Sequence, residues 1–391
     1  MKLLIITYTF SHSSPAGQVF TALVNEMAAR EGVKITSISI PCNSLVKSIN
    51  HLKIQNKKQL KERVHKILML LTGFAFENFF WIKRVNKEAI RCLSSESYDC
   101  IISLVNGDKP EILNLGYELS LKFKIPLSVH MVDPIPPPKH WGLNKHYWNS
   151  LRKYVMPGLK HAKFLSFGNK RMLEYQDSLY DFDILKKSFI VPYAVNGAFK
   201  VHGNPMLYSD KVIFTFLGAF YGKRKPNMLF KGFEIFLKAG NNAEIHIYSK
   251  NAINLEEYNL EASTKSKILF FKFTDKLDEV IKKSTILLDV DIAEEGNVFS
   301  SSKLKRYLFN DRFILCVTKI DSPSYDICNI LSNSCTAVDH DENLIATSMK
   351  KIIDLNYSSD IFKERVEVIE KYKASNIADI ILNKLKQDNY D

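Results

Sequence analysis

Several devices that would place a sequence quickly are missing. The six cysteines, Cys42, Cys92, Cys100, Cys316, Cys328 and Cys335, form no CxxC pair and no close Cys/His array. In a chain of this size that argues against a zinc site and a disulfide framework, and fits a reducing cytoplasm. No GxGxxG follows a candidate strand, so the dinucleotide fingerprint is absent. The longest apolar run, ILMLLTGFAFENFFWI (Ile67–Ile82), is interrupted by Glu77 and Asn78 and falls short of the ~20 residues a spanning helix needs. MKLLIITYTF at the start has one lysine and no small-residue cleavage site after it, and reads as a buried strand rather than a signal peptide. Short-period repeats, low-complexity segments and nucleic-acid-binding motifs are also lacking.

What is present is the balance of a globular protein: 391 residues, 46% hydrophobic and 25% charged, enough for two domains with real cores. The net charge of +12 is uneven, because Ser44–Arg91 holds eleven Lys/Arg against three Glu. A basic block interleaved with aromatic and aliphatic residues suits anionic membrane lipid, acidic glycan or nucleic acid, although a solvated basic helix face explains it equally well.

Apolar runs alternate with helical spacing twice along the chain. LLIITYTF, VKITSISI, YDCIISLV, IPLSVHMV, FLSFG and SFIVPY are strands of the first half; VIFTFLGAF, EIHIYSK, ILFFKFT, TILLDVDI and FILCVT are strands of the second. Near-continuous apolar strands separated by helices predict an α/β chain of two doubly wound domains with parallel sheets. Gly and Pro accumulate in VPYAVNGAFKVHGNPMLYSDK, where the domains should meet. The expected division is 1–195, a linker over 196–210, 211–370, and a C-terminal helix over 371–391 that packs back on the first domain.

Four stretches carry chemistry. SSPAGQVF puts Gly17 between the first strand and helix, where amides can approach a phosphate, although turn glycines are common. LGAFYGKRKPNMLFKG presents Gly218 and Gly222, then Lys223, Arg224 and Lys225, ahead of a helix, a combination suited to a diphosphate without metal; a solvated basic turn is the plainer explanation. LLDVDIAEEGNVFSSSKLKRYLF holds Asp289-x-Asp291, Glu294, Glu295 and then Ser300, Ser301, Ser302 and Lys303 at a helix start. The Asp pair has oxygen ligands for magnesium or manganese, but with cations already available for phosphates no metal is expected there. VHMVDPIPPPKHWG resembles a linker, yet follows a strand inside the first half, so His130, Asp133, His140 and Trp141 belong to a loop lining a ligand crevice.

In this order the features resemble the GT-B glycosyltransferases, in particular the retaining group that uses nucleotide-sugar donors, over essentially the whole length. PAG is similar to that group's glycine loop, IPLSVHMVDP to its His or Asp-Pro strand end, IVPYAVNGAF to its "vPNGvd…F" turn, and LGAFYGKRKP to its donor-diphosphate loop. SSKLKRYLFNDRFILCV resembles "sKlyeYla.gkPil", with Lys303, Leu304, Tyr307 and Leu308 matching. Two departures stand out: Arg306 replaces a common glutamate, and in an E-x7-E motif counted from Glu295 the second glutamate falls on Lys303.

The resemblance implies two Rossmann-like domains facing a central cleft, the first on the acceptor side and the second on the donor side. It implies a hexosyl transfer to a glycan or lipid-linked glycan, in bacterial surface polysaccharide or lipopolysaccharide synthesis, with no cofactor and no metal. Donor diphosphate contacts would come from Gly17, Gly218, Arg224, Lys225, Ser302 and Lys303. Tyr248, Thr274 and Glu294 are candidates for the donor nucleotide or sugar, and His140 and Trp141 for the acceptor. Glu295 would position the donor sugar, while His130 or Asp133 would orient the acceptor hydroxyl or take its proton, a histidine of ordinary pKa being suited to neutral pH. A cytoplasmic location follows, with peripheral contact to the inner face of the cell membrane through 44–91. A nucleotide-sugar epimerase, an inactive GT-B-like subunit and a basic nucleic-acid-binding protein are the alternatives.

Overall fold

The computed structural model describes all residues except 12, 13, 57–59, 76, 208–210, 221, 252, 275, 356 and 388–391. Parts of the first glycine loop, the basic block, the linker and the C-terminal segment therefore lie outside the described residues. The chain divides into two compact units, one formed by Met1–Asn196 with Lys371–Asp391 and the other by Gly197–Glu370.

The first unit is built on seven parallel strands: β1 (Lys2–Ile6), β2 (Lys34–Ser39), β3 (Asn50–Lys53), β4 (Cys100–Val105), β5 (Leu127–Met131), β6 (Phe164–Phe167) and β7 (Ser188–Ile190), ordered β3-β2-β1-β4-β5-β6-β7. β4 and β5 are buried at every position, as required of central parallel strands covered on both faces. The exception is β3, an edge strand of sequence NHLK that no apolar run announces. It forms because its backbone completes β2 from Thr36 to Ser39.

The helix Pro15–Ala28 packs its Val19, Phe20 and Leu23 on this sheet, together with Ile377, Ile381 and Leu382 of the helix Ala374–Gln387. Arg30 fixes that last helix by pairing with Asp379 at 2.7 Å. The helix Ala374–Gln387 is thus part of the first unit's core.

The second unit has six parallel strands: β8 (Val212–Leu217), β9 (Ala243–Ser249), β10 (Ile268–Lys272), β11 (Ile286–Val290), β12 (Phe313–Val317) and β13 (Cys335–Val338), ordered β10-β9-β8-β11-β12-β13. β13 is again a short edge strand without a sequence signal. Phe230, Phe233 and Phe236 of the helix Asn227–Lys238 meet Phe214, Phe216, Ile345 and Met349 in its core, each buried phenylalanine contributing about 1.5–3 kcal/mol. In both sheets the strand order reverses beside the first strand, between β1 and β4 and between β8 and β11. At such switch points loops diverge beyond the strand ends and leave room for a ligand.

Candidate functional site

The second switch point gathers four charges. β8 ends at Leu217, whose amide donates to the buried Tyr307 hydroxyl at 3.1 Å. Gly218 follows at φ +130°, and a Cβ there would lie 3.4 Å from the Lys303 side chain. Only glycine turns the chain in this way with Lys303 pressed against it. The loop then carries Arg224 back to the mouth of β11, and the helix Asn227–Lys238 begins with no side-chain cap. Its first amides thus have no side-chain acceptor from the N-cap position, an arrangement that favours an anion.

Opposite stand the two aspartates of β11 and its end. Arg224 Nη2 lies 3.5 Å from Asp291 Oδ1, and Lys303 Nζ lies 3.7 Å from Asp289 Oδ1. Both separations exceed a charge-assisted hydrogen bond, so each carboxylate balances its cation at a distance rather than through a short bond. Asp291 also accepts from the Ile292 amide at 3.0 Å and Ser324 Oγ at 3.2 Å. The buried Asp289 oxygens have no hydrogen-bond partner among the described residues. Burial pushes the Asp291 carboxyl up, against the pull of Arg224, and pushes the Lys303 ammonium down, against the pull of Asp289. Lys303 also sits over the Phe216 ring at 5.2 Å.

Of the remaining donor candidates, Ser302 opens the short helix Ser302–Tyr307, while Ser301 caps it through the Leu304 amide at 3.3 Å. Glu294 is drawn to Lys223 at 2.7 Å. Glu295 and Lys225 are exposed and do not join the four-charge cluster. Tyr248 stacks on Phe271 with centroids 4.9 Å apart. Thr274 Oγ1 accepts from the Lys276 amide.

In the first unit the amide of Gly17 donates to its N-cap, Ser14 Oγ, at 3.1 Å. A Cβ on Gly17 would lie 2.3 Å from the Ser11 carbonyl oxygen. Close packing of the preceding loop accounts for this glycine without any phosphate.

The proline stretch is held by three side chains from neighbouring helices. Gln176 bonds both the amide and the carbonyl of Ile135, Tyr175 donates to the Pro136 carbonyl at 3.2 Å, and Trp148 donates to that of Pro137 at 2.8 Å. Ile135–Pro136 is a cis peptide. His140 and Trp141 lie half-buried on the turn Lys139–Trp141.

His130 is not on the loop expected for it but buried within β5, its Nδ1 2.9 Å from Ser166 Oγ and its Nε2 without a partner among the described residues. The expectation of an ordinary histidine pKa is corrected here. Burial lowers it to about 4, so the imidazole is neutral at pH 7 and a weaker base than a solvated one. Asp133 Oδ2 faces the Gly107 amide at 3.4 Å.

One polar network escaped sequence reading. After β4, Lys109 pairs with Glu77 at 3.2 Å and Asp108 at 3.1 Å, and Asn78 donates to the buried Glu111 at 3.3 Å. Burial raises the Glu111 carboxyl to about 7, and its Oε2 has no partner among the described residues. The cue was KPE at a helix start beyond a strand, which looks like ordinary capping.

No protein-family model matches the sequence, and no curated protein matches it. Solved structures match over the whole chain. Anabaena Alr3699/HepE in complex with UDP-glucose is 10% identical, with 99% of this chain and 100% of that one covered and a TM-score of 0.70. A glycosyltransferase from Rickettsia africae ESF-5 is 13% identical, covering 99% and 98%, with a TM-score of 0.66. The lipopolysaccharide outer core galactosyltransferase WaaB, in its apo form, is 13% identical, covering 98% and 99%, with a TM-score of 0.65. At such identities the likeness is one of fold, and the fold is GT-B: two Rossmann-like units on parallel sheets.

Proposed function

We propose that this chain is a retaining, metal-independent glycosyltransferase that moves a sugar from a nucleotide-sugar donor to a glycan or lipid-linked glycan, in bacterial surface polysaccharide synthesis. The observation that carries this reading is the pair of cations, Arg224 and Lys303, gathered where β8 and β11 part. The likeness to a fold crystallised with UDP-glucose supports the class of donor.

In the reaction the bond from the anomeric carbon to the diphosphate oxygen breaks and a bond to the acceptor oxygen forms. Negative charge grows on the departing diphosphate, and the proton of the acceptor hydroxyl passes to an oxygen of that diphosphate. Arg224 and Lys303, with the helix amides after Pro226, stabilise that charge, and Ser302 and Lys225 contribute at the margin. Asp289 and Asp291 hold the two cations apart before the donor arrives and take the role of counter-charges, which supports transfer without a resident metal. Lys303, at the position of the missing glutamate, is balanced by Asp289 and need not disable the site. Glu295, Glu294, Tyr248 and Thr274 are assigned to the donor sugar and nucleotide. His130, Asp133, His140 and Trp141 are assigned to the reacting hydroxyl and the acceptor. No helix among the described residues is long and apolar enough to cross a membrane, and contact with an anionic inner membrane face through 44–91 belongs to the proposal.

A thermal-shift panel of UDP, GDP, ADP and CMP sugars tests the reading. One of them should raise the melting temperature, in EDTA as well as in magnesium, and Arg224→Ala should abolish the shift. Stabilisation by none of them overturns it. Mass analysis of the products separates transfer to an acceptor from epimerisation of the donor sugar.

A further inference from the structure

A helix of the first unit exposes what soluble proteins cover. Between Val64 and Phe74 the only charged residue is Lys66. Val64, Ile67 and Leu71 fall at i, i+3 and i+7 on one stripe, and all are exposed together with Leu70 and Phe74, Leu71 to 77% and Phe74 to 61%. The helix Glu62–Thr72 cannot turn this stripe inward, because its other face is occupied. His65 Nε2 meets Tyr147 Oη at 3.2 Å, and Met69 with Ala75 packs on Leu143 and Leu151. Contiguous exposed apolar surface of this size marks an interaction site.

Leu143 also forms part of the wall of a pocket of about 590 Å³ lined by Lys139, Lys145, Trp148, Arg152 and Leu179, among others. None of its three cations pairs with a carboxylate among the described residues. Lys139 lies over the Trp148 ring at 5.5 Å, and Arg152 over the Tyr180 ring at 5.9 Å. Aromatic faces orient these cations without cancelling their charge, so the pocket keeps an unbalanced positive field. Leu143 of the pocket wall also packs in the cluster with Met69 and Ala75 beneath this helix, so the cationic pocket adjoins the element that carries the apolar ridge.

We infer that this surface docks on anionic phospholipid, with Lys139, Lys145 and Arg152 taking headgroup phosphate while Leu71, Phe74 and Ile67 enter the acyl boundary. A soluble phosphate compound would use the pocket and leave the ridge without a role, whereas an anionic bilayer answers both features. The inference rests on the proposed membrane-side acceptor and extends it, since the phosphate pocket lies outside residues 44–91.

The full-length protein would be floated with phosphatidylcholine vesicles and with vesicles containing 30% phosphatidylglycerol, a composition of about one anionic lipid in three that mimics an anionic leaflet. Binding should favour the anionic vesicles by about tenfold or more and fall with salt. Leu71→Glu with Phe74→Glu, and separately Lys139→Glu with Arg152→Glu, should each lower binding by about tenfold or more with an unchanged melting temperature, all four side chains being exposed. Phe74→Trp adds a direct readout, a blue-shifted emission on anionic vesicles. Equal binding to neutral vesicles, or full binding by either double variant, overturns the inference. So does stabilisation of the wild type and the Leu71/Phe74 variant alike by millimolar glycerol phosphate without vesicle binding, which would assign the pocket to a soluble anion. The nucleotide-sugar thermal shift should persist in both double variants, so a failure of docking is distinguishable from a failure of the transferase reading.

Discussion

The two switch points use opposite electrostatic strategies. Beyond β8 and β11, opposite charges face one another as Arg224 with Asp291 and Lys303 with Asp289, each pair offsetting part of the cost of burial. Beyond β4 and in β5, burial works toward neutrality: His130 loses its proton affinity, and Glu111 holds its proton up to about pH 7. A diphosphate leaving group needs fixed cations, and a buried cation needs a counter-charge until the phosphate arrives. A reacting hydroxyl needs hydrogen-bonding groups without a competing net charge. The difference fits the assignment of the second unit to the donor and the first to the acceptor.

The sharpest way to break this contrast is Arg224→Ala. It should lower kcat/KM about 10²–10³-fold, or about 2.7–4 kcal/mol, by removing charge stabilisation from the departing diphosphate. It should also destabilise the fold by about 3 kcal/mol, because Asp291 is left buried without its cation. Adding Asp291→Asn should restore the melting temperature but not transfer; recovery of both would remove Arg224 from the diphosphate site.

Next in size is Glu111→Gln. The Glu111 pKa is raised in the folded state, so its stabilising contribution is complete below about pH 4.5 and lost as pH rises through about 7. The variant should therefore match the wild type near pH 4 and exceed it by roughly 3 kcal/mol at pH 8. His130 and His51, both lowered to about 4, act in the other direction, with stability rising between about pH 4 and 6.5. Taking the difference between wild type and variant in urea titrations cancels their part.

His130→Asn should reduce kcat by about tenfold, roughly 1.4 kcal/mol, through a lost hydrogen bond. The wild-type pH profile should show no inflection near pH 6.5 from this residue, and an inflection there that vanishes in the variant would restore an ordinary histidine. The smallest effect is expected from Lys225→Ala. Its exposed side chain should change stability by no more than about 0.5 kcal/mol and the nucleotide-sugar shift far less than Arg224→Ala does.

Much of the fold was legible because parallel strands buried on both faces leave continuous apolar runs, as CIISLV and FILCV do. The unread strands were NHLK and CTAV, each at a sheet edge, where pairing with one neighbour rather than hydrophobicity makes the strand. Arg224 and Lys303 stood out because basic residues beside glycine or serine at a helix start form a local pattern. Their aspartates were visible only as a metal candidate, since nothing local reveals which cation an aspartate will face.

By itself, then, the sequence determined the two βαβ runs, the place of the proline stretch within the first of them and the residues able to meet a phosphate. Those properties follow from spacing along the chain. Only the tertiary structure decided that Arg224 is half-buried and Lys225 exposed, that His130 is neutral, and that the helix Glu62–Thr72 leaves its apolar stripe uncovered. Burial and charge pairing depend on what the rest of the chain brings alongside, and that is a property of packing rather than of any one stretch.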